Sequence, residues 1–283
     1  MPTQLTSEIS PAPGSSFGGT AVGGSHATSA SYLERRAWIG EYFDRTASTA
    51  WKTLTSDAPV SRVRATVRAG RDQMRHTLLN WLNPSLHGVR ILDAGCGTGA
   101  LAIDLAKRGA EVVAIDLSPT LIAHARERAD EAGVSIEFHA GDMLDPALGT
   151  FDHVVAMDSL IHYNLPEMIT ALEALAPRVR ERMLVTVVPG TPLLVAMRAV
   201  GRLFPRQDRA PAVVPIAEGA FRRALLDTPS LDRWGMVATR TIHAGFYRST
   251  AMALRHGSFR HATESGRSAD ARPVTVTGEP AWR

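Results

Sequence analysis

Lysine, cysteine and long apolar runs are what this sequence has least of. Lys52 and Lys107 are the only lysines, so nearly all of the 31 basic residues are arginine. Arginine suits forked recognition of carboxylates and phosphates, but a high-GC genome produces the same bias. Against 28 acidic residues the net charge is only +3. Basic residues do not interleave with aromatics as they do in single-strand binders, so nucleic acid is not expected as a partner. Cys96 is the one cysteine, which excludes an intramolecular disulfide and any multi-cysteine zinc or iron–sulfur site. No run of about 18 apolar residues is present, so no spanning helix is expected. The first 30 residues combine no basic start with a continuous apolar stretch. No secretory signal is therefore expected, and a cytoplasmic location is.

What is there is an ordinary globular composition, 45% hydrophobic and 21% charged, in 283 residues. That length supports one large α/β domain with a filled core. Residues 1–30 and 257–283, rich in small and polar residues and proline, are expected to be disordered extensions. Residues 31–86 read as a helical arm, first Tyr32 to Phe43, then Val60 to Trp81. In the second helix Val60, Val63, Val67, Met74 and Leu78 recur at helical spacing, and Asn83-Pro84 ends it. Strands and helices alternate over 87–256. Strands are expected at 89–94, 111–116, 135–139, 151–157 and 182–188, with helices at 98–108, 119–132 and 165–177. Such alternation implies right-handed crossovers and a parallel sheet covered on both faces. Segments 235–243 and 245–254 are too close to pair other than as an antiparallel hairpin. A mostly parallel, Rossmann-like seven-stranded sheet closed by such a hairpin resembles the class I methyltransferase fold. Residues 190–216 form an extra piece, an apolar run from Leu193 to Leu203 followed by Pro205, Pro211 and Pro215. Its placement above the strands' carboxyl ends suits a lid.

The loop Asp93-Ala94-Gly95-Cys96-Gly97-Thr98-Gly99 follows the first strand. Its alternating glycines let the backbone approach a ligand, and the next helix aims unpaired N–H groups at it. With an acid two residues before the first glycine, it resembles the first motif of S-adenosylmethionine methyltransferases, whose acid handles the methionine ammonium. Asp116 ends the second strand about 17 residues on, where a carboxylate can accept hydrogen bonds from both ribose hydroxyls. Gly141-Asp142-Met143 follows the third strand, where that family sets an acid against the adenine amino group and an apolar neighbour against the ring. Asp142 as a helix cap is the other reading. Cys96 has no evident partner base, which favours a small residue packed under the cofactor over a nucleophile.

The segment Met157-Asp158-Ser159-Leu160-Ile161-His162-Tyr163 ends the fourth strand, so Asp158, His162 and Tyr163 are candidates to line the reaction centre. Helix capping for Asp158 and a core position for His162 are the alternatives. Several stretches together resemble the magnesium-protoporphyrin IX O-methyltransferases of bacteriochlorophyll synthesis: Glu41 to Ala47 with Trp51, residues 63–71, the glycine loop, Gly141 to Leu144, Ala156 to Tyr163, Pro192 to Leu194, Gly201 to Arg206 and Gly245 to Tyr247. The resemblance spans about 34–254, with gaps. It implies methyl transfer from S-adenosylmethionine to one propionate of magnesium protoporphyrin IX, giving the 13-monomethyl ester. It also implies cofactor contacts from Asp93, Gly95, Cys96, Gly97, Gly99, Asp116, Leu117, Asp142, Met143 and Asp158. Tyr42 and His162 are implied as the active-site pair, with Tyr163 on the substrate side. No protein-bound metal is expected, because the magnesium belongs to the porphyrin. Axial contact of Tyr42 or His162 with that magnesium is an alternative role. A magnesium chelatase subunit is a candidate partner, and membrane contact is expected to be peripheral at most.

Arg64, Arg68, Arg71 and Arg75 fall at i, i+4, i+7 and i+11, on one helical face. A solvated face is the simplest reading. An anionic docking surface, with Arg68 and Arg71 as substrate-binding candidates, is the functional one. The cofactor motifs alone would also suit a methyltransferase of another aromatic acid or phenol, or a non-catalytic porphyrin-binding accessory protein.

Overall fold

The computed structural model describes residues 30–44, 62–190 and 213–257. Apart from Ala30 and Gly257, both expected terminal extensions lie outside these residues, as do Trp51, Val60 and the Leu193 to Leu203 run of the expected lid. Helices α1 (Ala30–Tyr42) and α2 (Arg62–Asn80) come first. Then β1 (Arg90–Ala94), α3 (Ala100–Lys107), β2 (Glu111–Asp116), α4 (Pro119–Glu131) and β3 (Glu137–Ala140) alternate. They are followed by β4 (Phe151–Ala156), α5 (Leu165–Leu175), β5 (Val179–Pro189), a two-residue β6 (Pro215–Ile216) and α6 (Glu218–Leu226). The hairpin β7 (Trp234–Ala244) and β8 (Tyr247–His256) ends the described chain.

The sheet runs β3-β2-β1-β4-β5-β8-β7, with β6 pairing alongside β5. Strands β1 to β5 are parallel neighbours, whereas β8 is antiparallel to both β5 and β7. Alternating side chains divide the interior in two, as the twofold period of a strand requires. Leu92, Val113, Val154, Met183 and Met252 face one layer with α5 and α6; Ile91, Val112, Val155, Leu184 and Ala251 face the other with α2, α3 and α4. Each fully buried aliphatic side chain contributes on the order of 2 kcal/mol. No described helix is long and apolar enough to cross a membrane.

Capping sets where the helices begin, directly behind the strand ends. Ser118 accepts a hydrogen bond from the Leu121 N–H at 3.2 Å, with Pro119 preset for the first turn of α4. Asn164 and Glu167 form a reciprocal capping box at the start of α5. Two expected boundaries are corrected. Strand β5 begins at Val179, three residues early, because Arg180 and Glu181 are exposed charges within it, Arg180 reaching Asp152. Gly245 and Phe246, expected inside the second hairpin strand, form its two-residue turn, with Ala244 paired to Tyr247. Gly245 has φ +58, and a hairpin turn of this length needs that left-handed backbone.

Helix α2 lies across the hairpin so closely that a β-carbon on Gly70 would sit 2.4 Å from the Tyr247 ring. Glycine to alanine inside a helix ordinarily stabilises by about 1 kcal/mol. At Gly70 the sign is expected to reverse, with Gly70→Ala destabilising by about 1–3 kcal/mol through overpacking. Thermal denaturation checks this, and a raised melting temperature would refute the close contact.

Candidate active site

The strand order reverses between β1 and β4, which opens a crevice at their carboxyl ends. A cavity of about 550 Å³ occupies it. Asp93, Gly95, Cys96 and Gly97 line it from the glycine loop, and Ile115, Asp116 and Leu117 from the end of β2. Gly141 and Met143 line it after β3, and Met157, Asp158, Ser159, His162 and Tyr163 after β4. Ile39 and Phe43 reach it from α1, and Arg68 and Arg71 from α2.

The loop is held from below. The Gly95 and Cys96 N–H groups both donate to the Ile115 carbonyl, at 2.8 and 3.0 Å. Gly95 has φ +84, and a β-carbon there would lie 2.3 Å from that of Ser159. Asp116 accepts the Gly97 N–H at 2.9 Å and the Ser118 N–H at 3.0 Å, so it braces the loop as well as facing the cavity. Asp93 is 1% exposed, and its Oδ2 has no hydrogen-bond partner among the described residues. Burial, and then the charge of Asp116, push its carboxyl up to about 7. A buried acceptor left open in this way fits a cationic ligand group such as an ammonium. Burial likewise pushes the Cys96 thiol well up, which suits a packing role and removes it as a nucleophile.

Helix α1 roofs the cavity, and its role was only partly visible in the sequence. Tyr32 is fully buried, stacks on Tyr163 with 5.1 Å between ring centres, and donates to Asp142 at 3.1 Å. Arg36 reaches the other oxygen of Asp142 at 2.5 Å, and Arg35 pairs with Glu167 at 2.8 Å. Asp142 also accepts the Leu144 N–H at 3.0 Å, so its carboxylate is held by α1 and by its own loop. Its neighbours Gly141 and Met143 line the cavity instead. Tyr32, Arg36, Ile39 and Phe43 fall at i, i+4, i+7 and i+11, a spacing that could have marked this inner face. Tyr42 is not among the residues that line the cavity and stands edge-on to Phe43, with 5.5 Å between ring centres. Phe43 is the aromatic beside His162, at 5.6 Å. His162 itself is 8% exposed in a single 3₁₀ turn, Leu160–His162, and faces the cavity.

Of the expected arginine face Arg64 is exposed, whereas Arg68, Arg71 and Arg75 are half-buried. Arg71 bonds Asp158 at 2.6 Å, and Arg75 bonds Asp72 and Asp104, both at 2.8 Å. The helix rolls its carboxyl-terminal half inward, so these two arginines are not a free anionic docking surface. Asp158, expected as a cofactor contact, has its carboxylate committed to Arg71 and to the Tyr247 hydroxyl at 3.1 Å. At the far end of the expected lid, Pro215–Ile216 pairs with Val188 and Pro189, and the Val214 N–H donates to the Ile161 carbonyl at 2.8 Å. The 190–216 segment therefore rejoins the fold next to His162.

Residues 91–182 match a family model described as a methyltransferase domain, and residues 156–256 match magnesium-protoporphyrin IX methyltransferase C-terminus. The magnesium-protoporphyrin O-methyltransferase of Rhodobacter capsulatus is 45% identical over 226 residues, 79% of this chain and 98% of that protein. The Synechocystis enzyme of the same name is 30% identical, over 74% of this chain and 93% of its own. This chain belongs to that family. Its fold overlays the crystal structure of magnesium protoporphyrin IX methyltransferase from Synechocystis with bound S-adenosylhomocysteine, at TM-score 0.70 and 27% identity, covering 79% of this chain and all of that one. The cofactor is S-adenosylmethionine, and the glycine loop, Asp93 and Asp116 are the residues whose chemistry fits it. When bound it supplies an activated methyl group on a sulfonium.

The raised pKa of Asp93 gives this methyltransferase a defined pH response. The cofactor's ammonium favours the ionised carboxylate, so affinity is expected to weaken as pH falls from 7.5 to 5.5, by up to about tenfold per unit. Asp93→Asn should bind about 10- to 100-fold more weakly at pH 7.5 and show no such slope. In the ligand-free protein the linkage has the opposite consequence. A carboxyl raised above its unfolded value contributes stability below about 4 that is lost as pH rises through about 7. Asp93→Asn should therefore gain most in melting temperature, relative to wild type, above pH 7. Calorimetric titration and thermal scans over this range check both, and a flat wild-type profile would exclude the assignment.

Proposed function

We infer that this enzyme moves the methyl group of S-adenosylmethionine to a propionate of magnesium protoporphyrin IX, a step of chlorophyll and bacteriochlorophyll synthesis. The reading is carried by family membership over nearly the full length of the Rhodobacter relative, joined to a cavity whose buried Asp93 awaits a cation. A propionic acid has a pKa near 4.3, so at neutral pH it is already a nucleophilic carboxylate. No general base is needed. The chain's task is to align that carboxylate behind the methyl group and to keep water out.

The residues fall into these roles by position. Asp93 and Asp116 hold the donor at the ends of β1 and β2, and Met143 and Leu117 supply apolar walls. Ile39 of α1 and Phe43 just beyond its end line the crevice from above, where they are placed to exclude water from the reacting groups. His162 stands on the β4 side with Phe43 against its ring, and we assign it to orienting the propionate. Tyr42, one residue from Phe43 on the end of the same helix, is assigned to the same carboxylate from the outer rim. Neither is asked to remove a proton.

Incubation with S-adenosylmethionine and magnesium protoporphyrin should yield a porphyrin monomethyl ester by mass spectrometry, and absence of that product from folded protein would refute the reading. His162→Gln and Tyr42→Phe are each expected to lower kcat/KM for the porphyrin about 10- to 100-fold. Affinity for S-adenosylhomocysteine should stay within about twofold of wild type. A loss of cofactor affinity equal to the loss of turnover would move these residues out of the acceptor site.

A further inference from the structure

Asp158 is the one non-glycine residue with positive φ among the described residues, at +54. Aspartate tolerates this backbone better than most residues, yet strain of this kind persists where the surroundings hold it in place. Here they hold it from three elements. Arg71 of α2 reaches Oδ2 at 2.6 Å, and the Tyr247 hydroxyl of β8 lies 3.1 Å from both oxygens. Thr186 of β5 accepts the Asp158 N–H at 2.7 Å, while Ser249 of β8 stands 3.5 Å from Oδ1. Asp158 is 8% exposed, so a charge placed there needs this pairing.

The chain that follows has little regular structure of its own, and Asp158 anchors the end that leaves β4, as Val214 and Tyr32 hold its Ile161 carbonyl and Tyr163 ring further on. It makes a single 3₁₀ turn, Leu160–His162, before α5 begins. Ser159 abuts Gly95 of the cofactor loop, and His162 follows three residues later. A shift of the backbone at Asp158 would thus move the contact with the donor loop and the acceptor-side histidine together.

We propose that Asp158 is a positioning residue for methyl transfer: tied to Arg71 and Tyr247, it sets where Ser159 to His162 stand relative to the bound donor. The proposal rests on the methyltransferase reading above. In this role Asp158 acts through the segment it anchors, not on a reacting atom. Displacements of about 1 Å in such a segment cost roughly 100-fold in rate, whereas a donor held by Asp93 and Asp116 should bind almost unchanged.

The test compares Asp158→Asn, Asp158→Gly and Tyr247→Phe. Wild-type turnover of magnesium protoporphyrin is measured first, which separates failure of the functional reading from failure of this one. Asparagine keeps the left-handed backbone and loses the charge, so kcat should fall about 10- to 100-fold with S-adenosylhomocysteine affinity within about twofold. Glycine suits the backbone fully but removes every side-chain bond, so it should fall at least as far as asparagine. Tyr247→Phe keeps the ion pair and should fall less than either. Should the Asp158 variants fail to fold, Tyr247→Phe and Arg71→Lys carry the same comparison. Near wild-type kcat in Asp158→Gly would show that backbone conformation alone matters and overturn the proposal. Cofactor affinity falling in step with kcat would overturn it too, because Asp158 would then be a cofactor ligand.

Discussion

Gly95 and Ser159 stand so close that no side chain fits between the loops leaving β1 and β4. Much else in the structure answers to that contact. The sheet order sets the two strands side by side at its point of reversal, and parallel hydrogen bonding from Ile91–His153 to Asp93–Val155 fixes their ends at one level. The glycine loop then has to turn with positive φ to clear Ser159, and the Ile115 carbonyl catches its N–H groups from below. On the other side, the chain after β4 is tied to β5 and β8 of the sheet and to α2 by the bonds of Asp158. Donor and acceptor sides of the crevice are therefore positioned by one shared seam.

Charge in the crevice follows the same division. Asp93 and Asp116 form no ion pair among the described residues, and burial raises both carboxyls. Asp158, a short distance along the seam, takes Arg71 directly. Two carboxylates without an ion pair thus face the cavity on the donor side, which complements a ligand carrying a sulfonium and an ammonium. Neutralising Asp158 with a protein cation keeps it from competing for that ligand. Helix α1 completes the arrangement by engaging Asp142 with Tyr32 and Arg36, which joins the roof to the end of β3.

Periodicity made the strands and helices legible, because burial on both faces leaves continuous apolar runs in a parallel sheet. Strand β2 matched its expected bounds, and the edges of β5 and the hairpin did not. At β5 the exposed Arg180 and Glu181 hid the strand's start; at the hairpin a glycine and a phenylalanine read as strand although Gly245 turns the chain. The arginine spacing on α2 showed a common face and said nothing of its direction. Only the packing of Gly70 on Tyr247 decides how the helix is rolled, and that contact joins residues far apart in the chain.

By itself the sequence determined the donor. Asp93 to Gly99 and Asp116 lie on consecutive strand ends, where local geometry alone brings a glycine loop, a helix start and a carboxylate together. It also carried the family resemblance that names the acceptor. Tertiary structure decided the rest: Asp158 meets Arg71 across 87 residues, Asp142 meets Arg36 across 106, and Phe43 rather than Tyr42 faces His162. Each depends on how a helix is rotated about its own axis against the sheet. Spacing shows which side chains share a helical face, but only packing shows where that face is turned.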